Sequence, residues 1–448
     1  MTGTGLSRVR KSESGQTIVM VALSIVALMA VAALGIDVAT LYTARAEAQR
    51  TADAAALAGA KAFVDTGLTS FRSTDLNFTN VQTAAQAIAT AQVAQIVQAN
   101  KIAGAPGTGT PSFPPTNPDG NPQITVTVQR TGLPTFFARV LGPHLTSVSA
   151  TARAEAFNPS FSSSNPSGFT PVAAKCVKPF VIPNTDPNRG GTPFIDASTG
   201  VLASPNPLGE TLTLVSDCIQ SGSGCSLINN PPKVCGGDTV QYLPTRNNAS
   251  TPMLCPTCGS GATTFEQNIS CCNTHTFTCS SSIGGASTWE AALTVNPNGS
   301  SGPTQNGLRC AIHQSGSNGQ DILAPSTPPF GMQAGPNNPL VNASLVSSGD
   351  AITTSSSVMT LAVYNQTLGI SPLHVIGFLQ VFVTTVDGNK GSDCGGGGSN
   401  DDDGDGAGGG GGRFHVTILN VSGCGSNTFS GTPVAGGGVS SIPVRLMR

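Results

Sequence analysis

A chain of 448 residues is long enough for about two to four domains with a sizeable buried core. Only 10% of it is charged, against about 25% in an ordinary soluble domain; Gly, Ser, Thr, Asn and Pro carry the polarity instead, which suits short strands joined by turns. The net charge is −2 and no long Lys/Arg stripe occurs, which excludes the clustered phosphate-neutralising cations that a nucleic-acid partner needs.

From Thr17 to Ile36 the chain reads TIVMVALSIVALMAVAALGI, without charge or proline. At the helical rise this run covers roughly 30 Å, the thickness of a bilayer's hydrocarbon core. Arg8, Arg10 and Lys11 precede it, offset by Glu13; Asp37 follows, and the next cation is Arg45. The positive-inside bias therefore predicts a cytoplasmic segment 1–16, a membrane span 17–36 and an exported remainder in a single-pass protein of the bacterial inner membrane. A cleavable signal peptide would have an apolar region of about 7–15 residues ending in a small-x-small site; this run is longer and continues into helical sequence, so an uncleaved anchor is expected. Asp37 reads as a boundary marker rather than a functional intramembrane acid.

Beyond the span, Asp37 to Phe63 is alanine-rich and free of proline, which favours helix. Leu41, Ala44, Ala48, Thr51, Ala55, Ala58 and Ala62 recur at spacings of three and four, a narrow small-residue seam. It suits close packing against a partner, another copy or the chain's own following domain. Gly15-Gln16, the apolar span, Gly35-Ile36-Asp37, Leu41-Tyr42 and the run Thr51, Ala52, Asp53, Ala54, Ala55, Ala56, Leu57, Ala58, Gly59, Ala60 together resemble the N-terminal segment of TadG-like Flp pilus-assembly proteins, over residues 14–63. The resemblance implies an inner-membrane anchor in a tight-adherence (Tad) secretion and pilus system, with a periplasmic or surface body. Pilins cut by prepilin peptidase carry Glu five positions after the cleavage glycine; counted from Gly15, that position is Met20. The resemblance thus implies an anchored protein rather than a processed pilin.

Residues 64–157 read as a small α/β unit. Asn80 to Ile102 has helical composition with Val81, Ala84, Ile88, Ala91 and Gln95 in period. A Pro/Gly-rich loop is expected from Gly104 to Pro122, a strand through Ile124, Val126 and Val128, a short amphipathic turn or helix over Leu133–Leu141, and a second strand over Val148–Ala156. Residues 158–174, rich in Ser, Pro and Asn, read as a linker. The body, 175–448, is expected to be mainly β, with short apolar runs at Pro179–Ile182, Thr211–Val215, Val358–Val363, Val375–Val386 and Phe414–Val421. The last two read as a hairpin interrupted by a Gly/Asp-rich insertion at 388–412. The fold class is α+β: a transmembrane helix continuing into a long helix, a small α/β unit, then a mainly-β, disulfide-rich exported body.

All twelve cysteines lie beyond the anchor: Cys176, Cys218, Cys225, Cys235, Cys255, Cys258, Cys271, Cys272, Cys279, Cys310, Cys394 and Cys424. An even count in an exported region points to disulfides. Cys255 and Cys258, with Cys271, Cys272, His275 and Cys279, have zinc-ligand spacing, but the crowd of other cysteines favours a disulfide framework. Asp401, Asp403, Asp405 and Gly406 match the first half of a calcium loop, yet its twelfth position is Gly412 where a bidentate Glu is needed. A solvated low-complexity insert is the better reading. Neither G-x-S-x-G nor H-E-x-x-H occurs, nor a phosphate loop. The five histidines, His144, His275, His313, His374 and His415, each stand without a neighbouring acid at useful spacing.

No catalytic residue, metal, cofactor or small-molecule substrate is expected, and the chain reads as non-enzymatic. The expected partners are membrane lipid and other Tad/Flp pilus-assembly proteins or a second copy. The expected role is a structural or assembly component; a membrane-anchored adhesin or surface-binding module unrelated to pilus assembly is the alternative.

Overall fold

The computed structural model describes residues 14–114, 120–133, 137, 146–161, 172–203, 206–216, 218–221, 224–227, 234–246, 253–254, 264–273, 277–278, 294–295, 301–369, 374–387, 413–424, 434–435 and 440–447. Helix α1 is one element of 52 residues, Ser14–Asp65. Alanine and leucine carry it through Gly35 and Gly59, and no proline interrupts it. It ends at Gly67, whose φ of +81° closes the last turn and whose amide donates to Val64 O at 3.1 Å. A Cβ at Gly67 would sit 2.8 Å from Leu208 Cδ2, so space as well as φ demands glycine.

Helix α2 spans Phe78–Ala99. Its buried stripe is Val81, Ala85, Ala89, Val93 and Val97, in steps of four. The expected period shares Val81 with it, but Ile88 is 37% exposed and Ala91 and Gln95 face out. The helix also stops before Ile102, because Lys101–Ile102 pairs with Ala105–Pro106 across a turn where Ala103 and Gly104 have positive φ. The expected loop 104–122 contains a strand, β1 (Thr108–Ser112). Strands β2 (Gln123–Leu133) and β3 (Thr146–Ala156) follow. Ile124, Val126 and Val128 are buried as their alternation requires, as are Ala150, Ala152 and Ala154. Of Leu133–Leu141, all but Leu133 and Phe137 lies outside the described residues.

The further elements that build the body include β4 (Val177–Pro183), β5 (Thr211–Ser216), β6 (Thr239–Arg246), α3 (Thr264–Ser270), α4 (Ser301–Ala311), β7 (Val358–Tyr364), β8 (Val375–Val386), β9 (Phe414–Gly423) and β10 (Val444–Met447). Among the described residues six strands close a ring in the order β6-β4-β7-β8-β9-β5 and back to β6. The pairs β4/β7 and β5/β6 are parallel and the other four antiparallel. The body is thus a β-barrel, and the expected hairpin is real: β8 pairs β9 from Gly377↔Gly423 to Val386↔Phe414. The insertion 388–412, with its acidic run, lies outside the described residues. Strand β10 returns to pair with β3, completing a second sheet ordered β10-β3-β2-β1.

Alternate barrel residues share one apolar cluster, among them Phe180 and Ile182, Leu212 and Leu214, Leu361 and Val363, Leu379 and Val381, and Phe414 and Val416. At its centre Phe180, Tyr242 and Phe414 have ring centroids 5.0–5.6 Å apart. Helices α3 and α4 add Phe265, Ile269 and Leu308. They approach closely because Gly307 faces Ile269, where a Cβ would come within 2.9 Å.

Compact units divide the chain as 1–55, 93–111 and 126–152 in one, and 56–92, 112–125 and 153–448 in the other. The segment read as a linker is structured at both ends: Asn158 and Ser160 are buried and hydrogen-bonded, and Val172–Ala174 is a strand.

A disulfide-rich body is more than the described residues show. One bridge, Cys176–Cys272, has both halves placed and closes a loop of sequence separation 96. Cys235, Cys271, Cys310 and Cys424 are also disulfide-bonded, and no described cysteine is free. The side chains of Cys218 and Cys225, and Cys255, Cys258, Cys279 and Cys394 altogether, lie outside the description.

Two outcomes follow. Phe180→Ala empties the aromatic centre and lowers stability by about 3–5 kcal/mol in urea titrations of the detergent-solubilised chain; an unchanged midpoint would count against a packed barrel interior. Lys178 is buried beside Cys271 O, to which Nζ donates at 2.7 Å, and desolvation lowers its pKa from 10.5 to about 7. Between these values the unfolded chain holds the proton and the folded chain does not, so Lys178 makes stability rise with pH from about 7 to 10.5. Below about 7 its contribution is flat. Lys178→Met removes that rise, which paired denaturation curves at neutral and alkaline pH would reveal.

Candidate functional site

Within α1 the stretch from Thr17 is long and apolar enough to cross a membrane. Its apolar side chains are uncovered: Ile18 and Leu28 are 69% exposed and Val31 71%, and between Thr17 and Ile36 Ala33 alone is buried. A continuous apolar surface of this kind is stable against lipid and not against water. The helix satisfies its own backbone groups, and Ser24 Oγ returns its proton to Met20 O at 2.8 Å.

Asp37 lies at the boundary of the span, as read from the sequence, but it is not a solvated charge. It is 3% exposed, and the Phe137 amide donates to its Oδ2 at 3.0 Å. At the very end of the span, the carboxylate therefore has a specific partner a hundred residues away in sequence. Farther along, Glu47 Oε2 accepts from the Ala103 amide at 2.7 Å, satisfying a donor that the tight turn leaves unpaired. Gln49 donates to Asp53 Oδ1 at 2.8 Å.

Of the seam, Ala44, Ala48, Thr51, Ala55 and Ala62 are buried, while Leu41 and Ala58 are half-buried. Ala52, Ala56, Gly59 and Ala60 are buried as well; Asp53 and Leu57 are half-buried and Ala54 is exposed. The chain thus covers most of its own seam. The small side chains are what permit that approach.

The last turn of α1 is tied into the barrel by Asn420 of β9. Its Nδ2 donates to Val64 O at 2.8 Å and to Gln380 Oε1 at 2.7 Å, while Oδ1 accepts from Thr69 Oγ1 at 2.8 Å and Ser70 Oγ at 3.2 Å. Asn158 Nδ2 adds bonds to Thr69 O and Val421 O. Nearby, Lys61 pairs with Asp65 at 2.5 Å and donates to Thr353 O. Burial raises the Asp65 pKa, and Lys61 opposes that rise.

Residues 15–62 match the model of the putative Flp pilus-assembly TadE/G-like family. The match lies wholly inside α1, covering the uncovered span, Asp37 and the seam through Ala62, and it agrees with the resemblance read over 14–63. Nothing among curated proteins or solved structures matches the chain.

Away from α1, the structure brings together residues that sequence spacing kept apart. His415 does have an acid neighbour: its Nε2 lies 3.0 Å from Asp387 Oδ2, and its Nδ1 lies 2.9 Å from Thr213 Oγ1, which also bonds Asp238 Oδ2 at 3.0 Å. Arg413 pairs with the same Asp387 at 3.3 Å. A hydroxyl, an imidazole and a carboxylate in series is a familiar relay for proton transfer. Here Thr213 is 1% exposed, so its hydroxyl is shut off from solvent and the series links β5, β9 and the base of the insertion. The signal was present in the hairpin: pairing β8 with β9 places Asp387 and Arg413 opposite each other. His313 is held to a lowered pKa by burial, against the raising effect of Asp321. Among the described residues no group of three or more His, Cys, Asp or Glu is placed to hold a metal. Cys255, Cys258, His144, His275 and the acidic run at 401–405 lie outside the described residues.

Asn420→Ala should cost at least about 1–3 kcal/mol, because the buried groups of Thr69, Ser70 and Gln380 lose their partner together. Thermal unfolding of the detergent-solubilised chain reads this; a variant that melts with the wild type would deny Asn420 that role.

Proposed function

We propose that the chain is a non-enzymatic, membrane-anchored structural component of a Tad or Flp-type pilus-assembly apparatus. It crosses the bacterial inner membrane once, with residues before Thr17 on the cytoplasmic side and the barrel on the exported side. The observation that carries this reading is the coincidence of the 15–62 family match with an apolar span, Thr17–Ile36, whose described side chains are exposed except Ala33. Arg8, Arg10 and Lys11 support the orientation. The bonded state of every cysteine with a described side chain supports an oxidising compartment, and we infer that the remaining cysteines are paired too. Since most of the seam is covered, contacts with other assembly proteins or a second copy fall to the lipid-facing span and to the barrel exterior.

Membrane fractionation, combined with maleimide labelling of spheroplasts before and after reduction, tests the placement. The chain is expected in the membrane fraction, with thiols that react from outside only once reduced; a soluble cytosolic chain with free thiols would overturn it. A deletion strain tests the role: loss of pili, restored by a plasmid copy, is expected. Normal pili with lost surface attachment would instead favour an anchored adhesin.

A further inference from the structure

We propose that Phe137 is a second membrane contact, seated at the headgroup level of the leaflet where α1 leaves the bilayer. The inference rests on the anchor reading and adds a depth to it. Asp37 follows Ile36 directly, so its Cα lies about 1.5 Å of helical rise beyond the apolar span. Its carboxylate accepts the Phe137 amide at 3.0 Å, and both residues belong to one compact unit. Whatever plane the end of the span occupies, Phe137 is therefore held close to it. The ring is 44% exposed, and at the same level Ile36 and Val38 are 51% and 42% exposed. Each of the three thus leaves apolar surface exposed at the end of the span. Tyr42, 72% exposed, lies six residues on, about 9 Å along the axis, near the outer margin of the interfacial zone.

The partner this arrangement fits is a lipid surface. An aromatic ring at the boundary of headgroups and acyl chains loses water from its apolar faces without leaving the polar zone. Asp37 supplies the matching polar half: its charge is spent on a backbone donor inside the protein, so it imposes little desolvation penalty at the bilayer edge. Phe137 sits in the connection between β2 and β3, so the contact would brace that end of the hairpin against the membrane as well as the helix.

The test uses the full-length chain in phosphatidylcholine vesicles, in a Trp289→Phe background that removes the single native tryptophan. Phe137→Trp reports the proposed contact and Val26→Trp reports the span, each read by emission wavelength and by quenching with lipids brominated near the headgroup or near the chain end. The indole at position 137 is expected to emit to the blue of free tryptophan and to be quenched more by the shallow bromines; the indole at position 26 should be quenched more by the deep ones. Adding Asp37→Ala to Phe137→Trp should abolish the shallow preference. If position 26 is quenched as expected but position 137 is reached by aqueous acrylamide and not by lipid bromines, the contact is refuted and the anchor stands. Deep quenching at position 137 would refute the interfacial placement in the same way. If neither position is quenched by lipid, the anchor reading fails and this inference with it.

Discussion

The rest of the structure depends on how the C-terminal end of α1 is satisfied. A helix leaves its last carbonyls without intrahelical donors, and here that end is buried against a barrel strand where water cannot supply them. Asn420 resolves this from the barrel side. Its amide donates to Val64 O and Gln380 and its carbonyl accepts two hydroxyls from the turn that follows, so all of its bonding capacity in the site is used. Gly67 completes the arrangement, since its positive φ lets the chain turn away at once and a side chain there would strike Leu208. A buried polar cluster of this kind is favourable only when every member is paired, which makes the junction geometrically exacting.

The same helix meets two solvents. Toward its N-terminus it exposes Ile18, Leu28 and Val31, which suits hydrocarbon; from Ala44 onward it buries alanines against its own chain. The change falls at Asp37, and the physical reason the carboxylate can be buried there is that a backbone amide meets it. The family match spans this change and runs on through the buried seam. That segment therefore combines an apolar helix compatible with a membrane anchor and a small-residue face that is buried within the chain.

The barrel solves a different problem. An open sheet of these strands would leave two edges able to pair with other chains; closure through the parallel β5/β6 contact removes them. Its inner face is filled by aromatic and branched side chains, while β7 and most of β8 are buried on both faces. That explains why Val358–Val363 and Val375–Val386 read as near-continuous apolar runs rather than alternating ones. The His415–Asp387 and Arg413–Asp387 pairs then close the described end of the hairpin.

By itself the sequence determined what depends on local composition and period. That covers the apolar run from Thr17 to Ile36, the alanine-rich helix beyond it, the strands through Ile124–Val128 and over Val375–Val386 and Phe414–Val421, and the resemblance carried by residues 51–60. Tertiary structure decided what depends on residues far apart meeting. Thr239–Arg246 went unread as a strand because Pro244 and its short, mixed pattern give no clear alternation, and its place comes from pairing with β4 and β5. The buried stripe of α2 could not be phased, because alanines occupy several faces and only packing selects one. Asp37, Asn420 and His415 looked unremarkable in isolation, since each acquires its role from a partner between 28 and 356 positions away. Hydrophobic periodicity is written along the chain, whereas the pairing of a buried polar group is settled only when the chain has folded around it.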